Sequence, residues 1–319
     1  MNKKFYLIFI SVLFISLSLT LSPIVSNTAN KAIPFVYAQT NAAMIASTTF
    51  VEDNTNGNII GPQNNNTATS NMTLNLNAST DGIQIKKDVK YFDGASGYLA
   101  YPSNVTTGSD SKKIPGVIMV HEWWGINDNI KTMANTLAKQ AGYAVLAVDL
   151  FKGQSTKDPA QAMQLVKSVT NNPQESVSNL QSAVKYLSSL PFVDSSKIAS
   201  IGWCFGGGQA LQLALHSEQH PLVGTVLYYG TPLVTDKQEL TKIKWPLLGM
   251  FGDKDQSIPL SQINSFKSAL DIVGVKNQIY IYKGLGHAFA NPSGTSYAPQ
   301  QTADAWKKTL TFLKSIFNN

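Results

Sequence analysis

From residue 82 onward, apolar runs of strand length alternate with stretches whose apolar positions repeat at helical spacing. Continuous apolar runs over 116–120, 144–150, 198–201, 222–229, 247–251 and 278–282 predict strands buried on both faces. Two earlier segments, 83–92 and 97–101, predict an antiparallel pair. Amphipathic stretches over 126–140, 159–169, 174–190, 207–217, 260–272 and 300–317 predict the helices between them. Near-continuous apolar strands alternating with helices imply an α/β fold, a mostly parallel sheet with helices on both faces. In such sheets ligands sit beyond the carboxyl ends of the strands, so chemistry is expected in the residues that follow each run.

The first 81 residues follow a different pattern. Lys3 and Lys4 precede an uncharged apolar run over 5–21, and Val36-Tyr37-Ala38 ends the segment in the manner of a small-residue cleavage site. Residues 1–38 therefore read as a secretory signal peptide cleaved after Ala38, with an uncleaved membrane anchor as the alternative. Residues 39–81 are rich in Asn, Thr, Ser and Ala and poor in apolar side chains, which predicts a flexible linker. Sequons at Asn65, Asn71 and Asn77, and a further one at Asn104, fit an exported chain in an extracytoplasmic setting. The expected domain covers 82–319.

Composition narrows the chemistry. Of 319 residues 43% are apolar and 14% charged, with mean hydropathy −0.06, enough apolar material for a large core. All 25 basic residues are lysine, so no guanidinium fork is available to any mechanism. The net charge of +6 falls to +3 once Lys3, Lys4 and Lys31 are set aside, and no basic stripe remains, so nucleic acid is not an expected partner. A single cysteine, Cys204, excludes an intrachain disulfide and any multi-cysteine metal site; no metal and no cofactor are expected.

Four predicted strand ends carry candidate chemistry. Gly202-Trp203-Cys204-Phe205-Gly206 lies between strand and helix, the nucleophile-elbow arrangement with sulfur in place of a serine oxygen. The helix start beneath it favours a thiolate and a developing oxyanion. A buried, inert cysteine beside a glycine-rich turn is the plainer alternative, and the strand-before, helix-after context weighs against it. Phe251-Gly252-Asp253-Lys254-Asp255 supplies two acids that could orient an imidazole; Asp255 is preferred by its spacing from the strand. His287, in Gly286-His287-Ala288-Phe289, is the histidine after a strand that also follows these acids, giving the order Cys204, Asp255, His287. His121-Glu122-Trp123-Trp124 follows another strand; the Trp123 amide, with that of Phe205, is expected to form an oxyanion hole, and Glu122 to contact the thiol rather than merely start a helix.

Together, Gly202-Trp203-Cys204-Phe205-Gly206-Gly207, Glu122, Asp255, His287-Ala288-Phe289 and Tyr228-Tyr229-Gly230 resemble the dienelactone hydrolase (carboxymethylenebutenolidase) family of α/β-hydrolases. The resemblance implies Cys204 as nucleophile, His287 as base, Asp255 as its orienter, and Glu122 as the group that holds the resting thiol. It breaks where that family places arginines on the substrate carboxylate, since the matching positions are Gly153 and Asn291. Lys152 offers only a point charge, and Trp123, Trp124, Phe151, Tyr229 and Phe289 suggest an aromatic, mainly apolar pocket. The expectation is an exported hydrolase of small esters or lactones acting through a thioester acyl-enzyme. A non-catalytic module that binds a small ligand and a single-cysteine redox protein are the rival classes.

Overall fold

The computed structural model describes residues 80–108 and 112–318. The signal peptide, all but the last two linker residues, and the sequons at Asn65, Asn71 and Asn77 lie outside them. Eight strands form one sheet: β1 (Ile83–Val89), β2 (Gly97–Pro102), β3 (Ile114–Val120), β4 (Ala144–Val148), β5 (Val193–Trp203), β6 (Gly224–Tyr228), β7 (Leu247–Gly252) and β8 (Asn277–Tyr282), in the order β1-β2-β4-β3-β5-β6-β7-β8. β2 pairs antiparallel with both β1 and β4, and every pair from β4 to β8 is parallel.

The helices are α1 (Asp128–Ala141), α2 (Pro159–Thr170), α3 (Pro173–Ser189), α4 (Phe205–Leu215), α5 (Lys237–Leu240), α6 (Leu260–Ile272) and α7 (Pro299–Phe317). From β3 the chain steps outward to β4, then returns past β3 to β5. Right-handed crossovers in opposite directions place α1 on one face and α2, α3, α4 and α6 on the other. α7 shares the α1 face, where Trp306 Nε1 donates to Gln140 Oε1 at 2.9 Å. On the opposite face Ser176 Oγ of α3 donates to Gln209 Oε1 of α4 at 2.6 Å. All residues of β4, β6 and β7 are buried, as continuous apolar strands covered on both sides require.

Two features differ from the sequence pattern. β5 starts at Val193, because Val193 pairs with Ile114 before a register shift, while the polar Asp194–Lys197 stretch hides that start from any apolar count. The helix α5 has four residues, too few to show a period, and is marked only by Asp236, whose Oδ1 accepts from the Glu239 amide at 3.1 Å. Among the described residues no helix is long and apolar enough to cross a membrane.

The topology also fixes where a site can form. The connection reverses direction at β3, so the loops leaving β3 and β5 diverge and open a crevice between their carboxyl ends. Register then brings the other loops alongside: Val120 sits opposite Gly202, Trp203 opposite Tyr228, Tyr228 opposite Met250, and Gly252 opposite Tyr282. The residues following each pair therefore leave the sheet side by side.

Candidate active site

Cys204 stands between β5 and α4 with φ 56° and ψ −124°, a backbone conformation that an L residue occupies only when its surroundings impose it. What imposes it is close backbone contact. A Cβ on Gly202 would lie 2.1 Å from the Gly206 oxygen, and one on Gly206 would lie 2.3 Å from the His121 oxygen. The Cys204 amide donates to Tyr228 O at 2.9 Å, tying the elbow to the neighbouring strand. Gly206→Ala must push α4 away from the end of β3, a strain with no flexible side chain to absorb it. A loss of about 3 kcal/mol in unfolding free energy is expected, measured by urea denaturation. An unchanged midpoint would show that the helix start tolerates displacement.

The sulfur, partly exposed, meets His287: Sγ and Nε2 are 3.1 Å apart. The other ring nitrogen, Nδ1, is 2.8 Å from Asp255 Oδ2. Oδ1 of Asp255 accepts from the Ser257 and Ile258 amides at 2.8 and 3.1 Å, so both oxygens of this buried carboxyl are held. Burial opposes a charge on His287, but the Cys204 sulfur and Asp255 outweigh it and hold the imidazole pKa well above its usual value. Asp253 is engaged elsewhere; its Oδ1 accepts from the Gly284 amide at 2.6 Å and closes the turn after β8. Of the two acids, Asp255 is the one that meets the histidine.

Glu122 is buried, and its Oε2 accepts from Asn291 Nδ2 at 2.6 Å. The expected contact between Glu122 and the thiol is not made: the sulfur hydrogen-bonds His287 instead. Burial raises the Glu122 carboxyl to about 7, against the lowering effects of the His287 charge, Tyr229 and Asn291. The turn carrying Glu122 is fixed by His121. The His121 ring accepts from the Leu150 amide on Nε2 at 3.3 Å, so its proton is assigned to Nδ1, which donates to the Glu122 backbone oxygen at 2.6 Å. Burial pushes the His121 pKa down, consistent with a neutral ring.

The aromatic residues expected to line a pocket divide into two groups. Trp123 and Trp124 are partly exposed at the mouth, with ring centroids 4.5 Å apart. Phe151, Tyr229 and Phe289 are not at the surface of the crevice but fully buried beneath it. Phe151 stacks on Phe205 at 5.6 Å, and Tyr229 packs between His287 and Phe289 at 5.2 and 5.4 Å. They form a packed floor against Phe205 and His287. Lys152, likewise expected at the substrate, pairs with Glu175 at 2.7 Å and is 60% exposed. Asn104 is exposed in the turn after β2.

Two structural supports carry no motif in the sequence. Asp149, buried at the end of β4, accepts from the Ser96, Phe151 and Gly153 amides at 2.8, 2.9 and 2.5 Å and so shapes the loop bearing Phe151. The signal that could have found it is an acid closing an otherwise apolar strand. Asn291 was legible only as a place where an arginine is missing, not as the partner of Glu122. Among the described residues, five non-glycine positions have positive φ, and Lys152, Cys204, Tyr229 and Ala288 of these lie in the strand-end loops described above. Backbone strain of about 1–3 kcal/mol at each such position persists where packing over-determines it, a common property of active sites. No group of three or more His, Cys, Asp or Glu among the described residues is arranged to hold a metal ion.

A parallel sheet with a sulfur-bearing elbow after one central strand, and an acid and a histidine after two later ones, defines an α/β-hydrolase. The dienelactone hydrolase family model matches residues 96–317, and the chain belongs to that family. A protein of Saccharolobus solfataricus described as "Putative carboxymethylenebutenolidase" is 29% identical over 278 residues, covering 73% of this chain and 99% of its own. A protein of the same description from Yersinia pestis is 30% identical over 228 residues, covering 68% of this chain and 82% of its own. Among solved structures, a dienelactone hydrolase-like promiscuous phosphotriesterase from metagenomic libraries superposes with a TM-score of 0.67 at 25% identity, over 74% of this chain and 99% of that one. Family membership makes the chain a hydrolase of the kind that acts on esters or lactones.

Proposed function

We propose that this chain is an exported, cofactor-independent hydrolase of small neutral esters or lactones, with Cys204 as nucleophile. The observation that carries the reading is the continuous relay from Sγ through His287 to Asp255, at 3.1 and 2.8 Å. In acylation the proton shared between Sγ and Nε2 rests on His287, whose pKa stands well above its usual value, while sulfur bonds to the substrate carbonyl carbon. The Trp123 amide, in the turn after β3, and the Phe205 amide, at the start of α4, serve as donors to the oxyanion. The carbon–oxygen bond then breaks, the alcohol leaves with the proton from His287, and a thioester remains. Water gives a proton to His287 as it attacks the thioester, the carbon–sulfur bond breaks, and the acid is released. Export is supported by Lys3, Lys4, the apolar run over 5–21 and Ala38, and places the start of the mature chain at Gln39.

The direct test is a panel of p-nitrophenyl esters and simple lactones, with intact mass recorded during turnover. The expected result is hydrolysis together with a mass increase equal to one acyl group on Cys204. Neither turnover nor adduct across the panel would instead favour a ligand-binding module.

Substrate charge follows from the missing arginines. A buried substrate carboxylate needs a compensating cation, and Lys152 is both solvent-screened and already paired with Glu175. A neutral lactone is expected to show kcat/KM at least about tenfold above its carboxylate analogue, the value of one lost charged contact. The comparison is run at fixed salt in wild type and in Lys152→Met. If the carboxylate analogue wins in wild type and loses its advantage in Lys152→Met, Lys152 is the substrate grip.

A further inference from the structure

Tyr229 carries two anomalies that the relay does not explain. Its backbone has φ 38°, unusual for a bulky residue, and is held there by the amide, which donates to Met250 O at 2.7 Å. Its hydroxyl is buried without a hydrogen-bond partner. Such a group is costly and calls for a role. The ring packs between His287 and Phe289, and its hydroxyl sits where the charges of Glu122 and Cys204 act on it. There it lies near the Cys204 sulfur and within reach of the Ala290 amide and of the Glu122 carboxyl, whose pKa it lowers as a donor, although no contact is closed to full hydrogen-bond geometry.

Glu122 is the neighbour with something to gain from that hydroxyl. In this structure one of its oxygens accepts from Asn291, itself anchored because Asn291 Oδ1 accepts from the Ser293 amide at 2.8 Å. A protonated carboxyl donates one hydrogen bond of its own and has fewer acceptor sites to fill, whereas a buried carboxylate only accepts and needs more donors. We propose that Tyr229 is a positioning residue whose hydroxyl donates to Glu122 once that carboxyl loses its proton, giving the active site a second ionisable group behind Cys204. The role rests on the hydrolase reading only in where it is felt.

The ionisable groups facing Glu122 are His287 from the loop after β8, Cys204 from the elbow, Tyr229 from the loop after β6, and His121 on its own loop; Asp255 lies behind His287. His121 is disfavoured as a cation by burial, and the Tyr229 hydroxyl, pushed far up by burial and by the Glu122 charge, keeps its proton and stays a donor. Burial lifts Glu122 to about 7, which places its ionisation in an accessible range. A donor to the charged form lowers a carboxyl pKa, so removing Tyr229's hydroxyl must raise it.

The test reads the rate of Cys204 alkylation by iodoacetamide against pH, which needs no ester turnover. Two inflections are expected in wild type, one from the Cys204–His287 pair and one from Glu122. Glu122→Gln should remove the second. Tyr229→Phe should move it upward by about one pH unit, as for one lost hydrogen bond to a charged group. Site-specific 3-fluorotyrosine at 229 keeps the ring and donates more strongly, so it should move the inflection downward; a purely structural role predicts no such reversal. An inflection that survives Glu122→Gln overturns the proposal, as does one that 3-fluorotyrosine leaves unmoved. Absence of ester turnover in wild type would defeat the proposed function while leaving these curves to judge Tyr229.

Discussion

Cys204→Ala is expected to lower kcat for ester hydrolysis by at least about 10⁴-fold, with KM and thermal midpoint close to wild type. The strained elbow projects this one side chain into the crevice, and the turn itself is held by the backbone at Gly202 and Gly206 rather than by sulfur. Removing the sulfur therefore deletes the proposed nucleophile while leaving the supports of the turn in place. His287→Ala should lose nearly as much, and the double variant little more than either alone, because members of one relay act as a unit. The rates are compared by stopped-flow with an activated ester, beside circular dichroism of each variant. Turnover within tenfold of wild type in Cys204→Ala would remove cysteine from the mechanism. The same variant addresses the redox alternative: peroxide consumption that falls with Cys204 while ester turnover persists would assign the thiol to redox chemistry.

The parts of this site that were legible in the sequence are those that depend on local chain geometry. The elbow is written as glycine spacing because backbone passes within 2.1 Å of a missing Cβ at Gly202, a constraint that no other residue type meets. The inner strands β4, β6 and β7 are visible because burial on both faces forces unbroken apolar runs, whereas β1 and β8 are only partly covered. What was not legible depends on contacts between loops distant in sequence. Glu122 and Asn291 are 169 positions apart, and their bond follows from the β3/β5 divergence and the return of the chain after β8. Composition placed Phe151, Tyr229 and Phe289 at a pocket, but aromatic rings near a strand end can face solvent or sit beneath it. Here they are enclosed by His121, His287 and each other, and burial follows from those contacts rather than from residue type.

The choice between Asp253 and Asp255 has an equally large expected effect. Asp255 holds two backbone amides on Oδ1 and presents Oδ2 to His287 Nδ1. In Asp255→Asn the Ser257 and Ile258 amides still require an oxygen, so the side chain keeps its carbonyl toward them and turns its NH₂ toward the imidazole. A donor facing Nδ1 forces the ring proton onto Nε2, and a protonated Nε2 cannot accept the thiol proton. kcat should fall by about 10⁴-fold while substrate binding changes little. Loss of the carboxylate also withdraws one of the influences that raise His287, so the histidine pKa should move down in this variant, measurable by NMR titration of the ring. In Asp253→Asn the amide oxygen can still accept from Gly284, so turnover should stay within about threefold of wild type. If Asp253→Asn is the crippled variant and Asp255→Asn the tolerated one, the resting contact between Asp255 and His287 is not the contact used in catalysis, and the loop after β7 must rearrange before the thiol is activated.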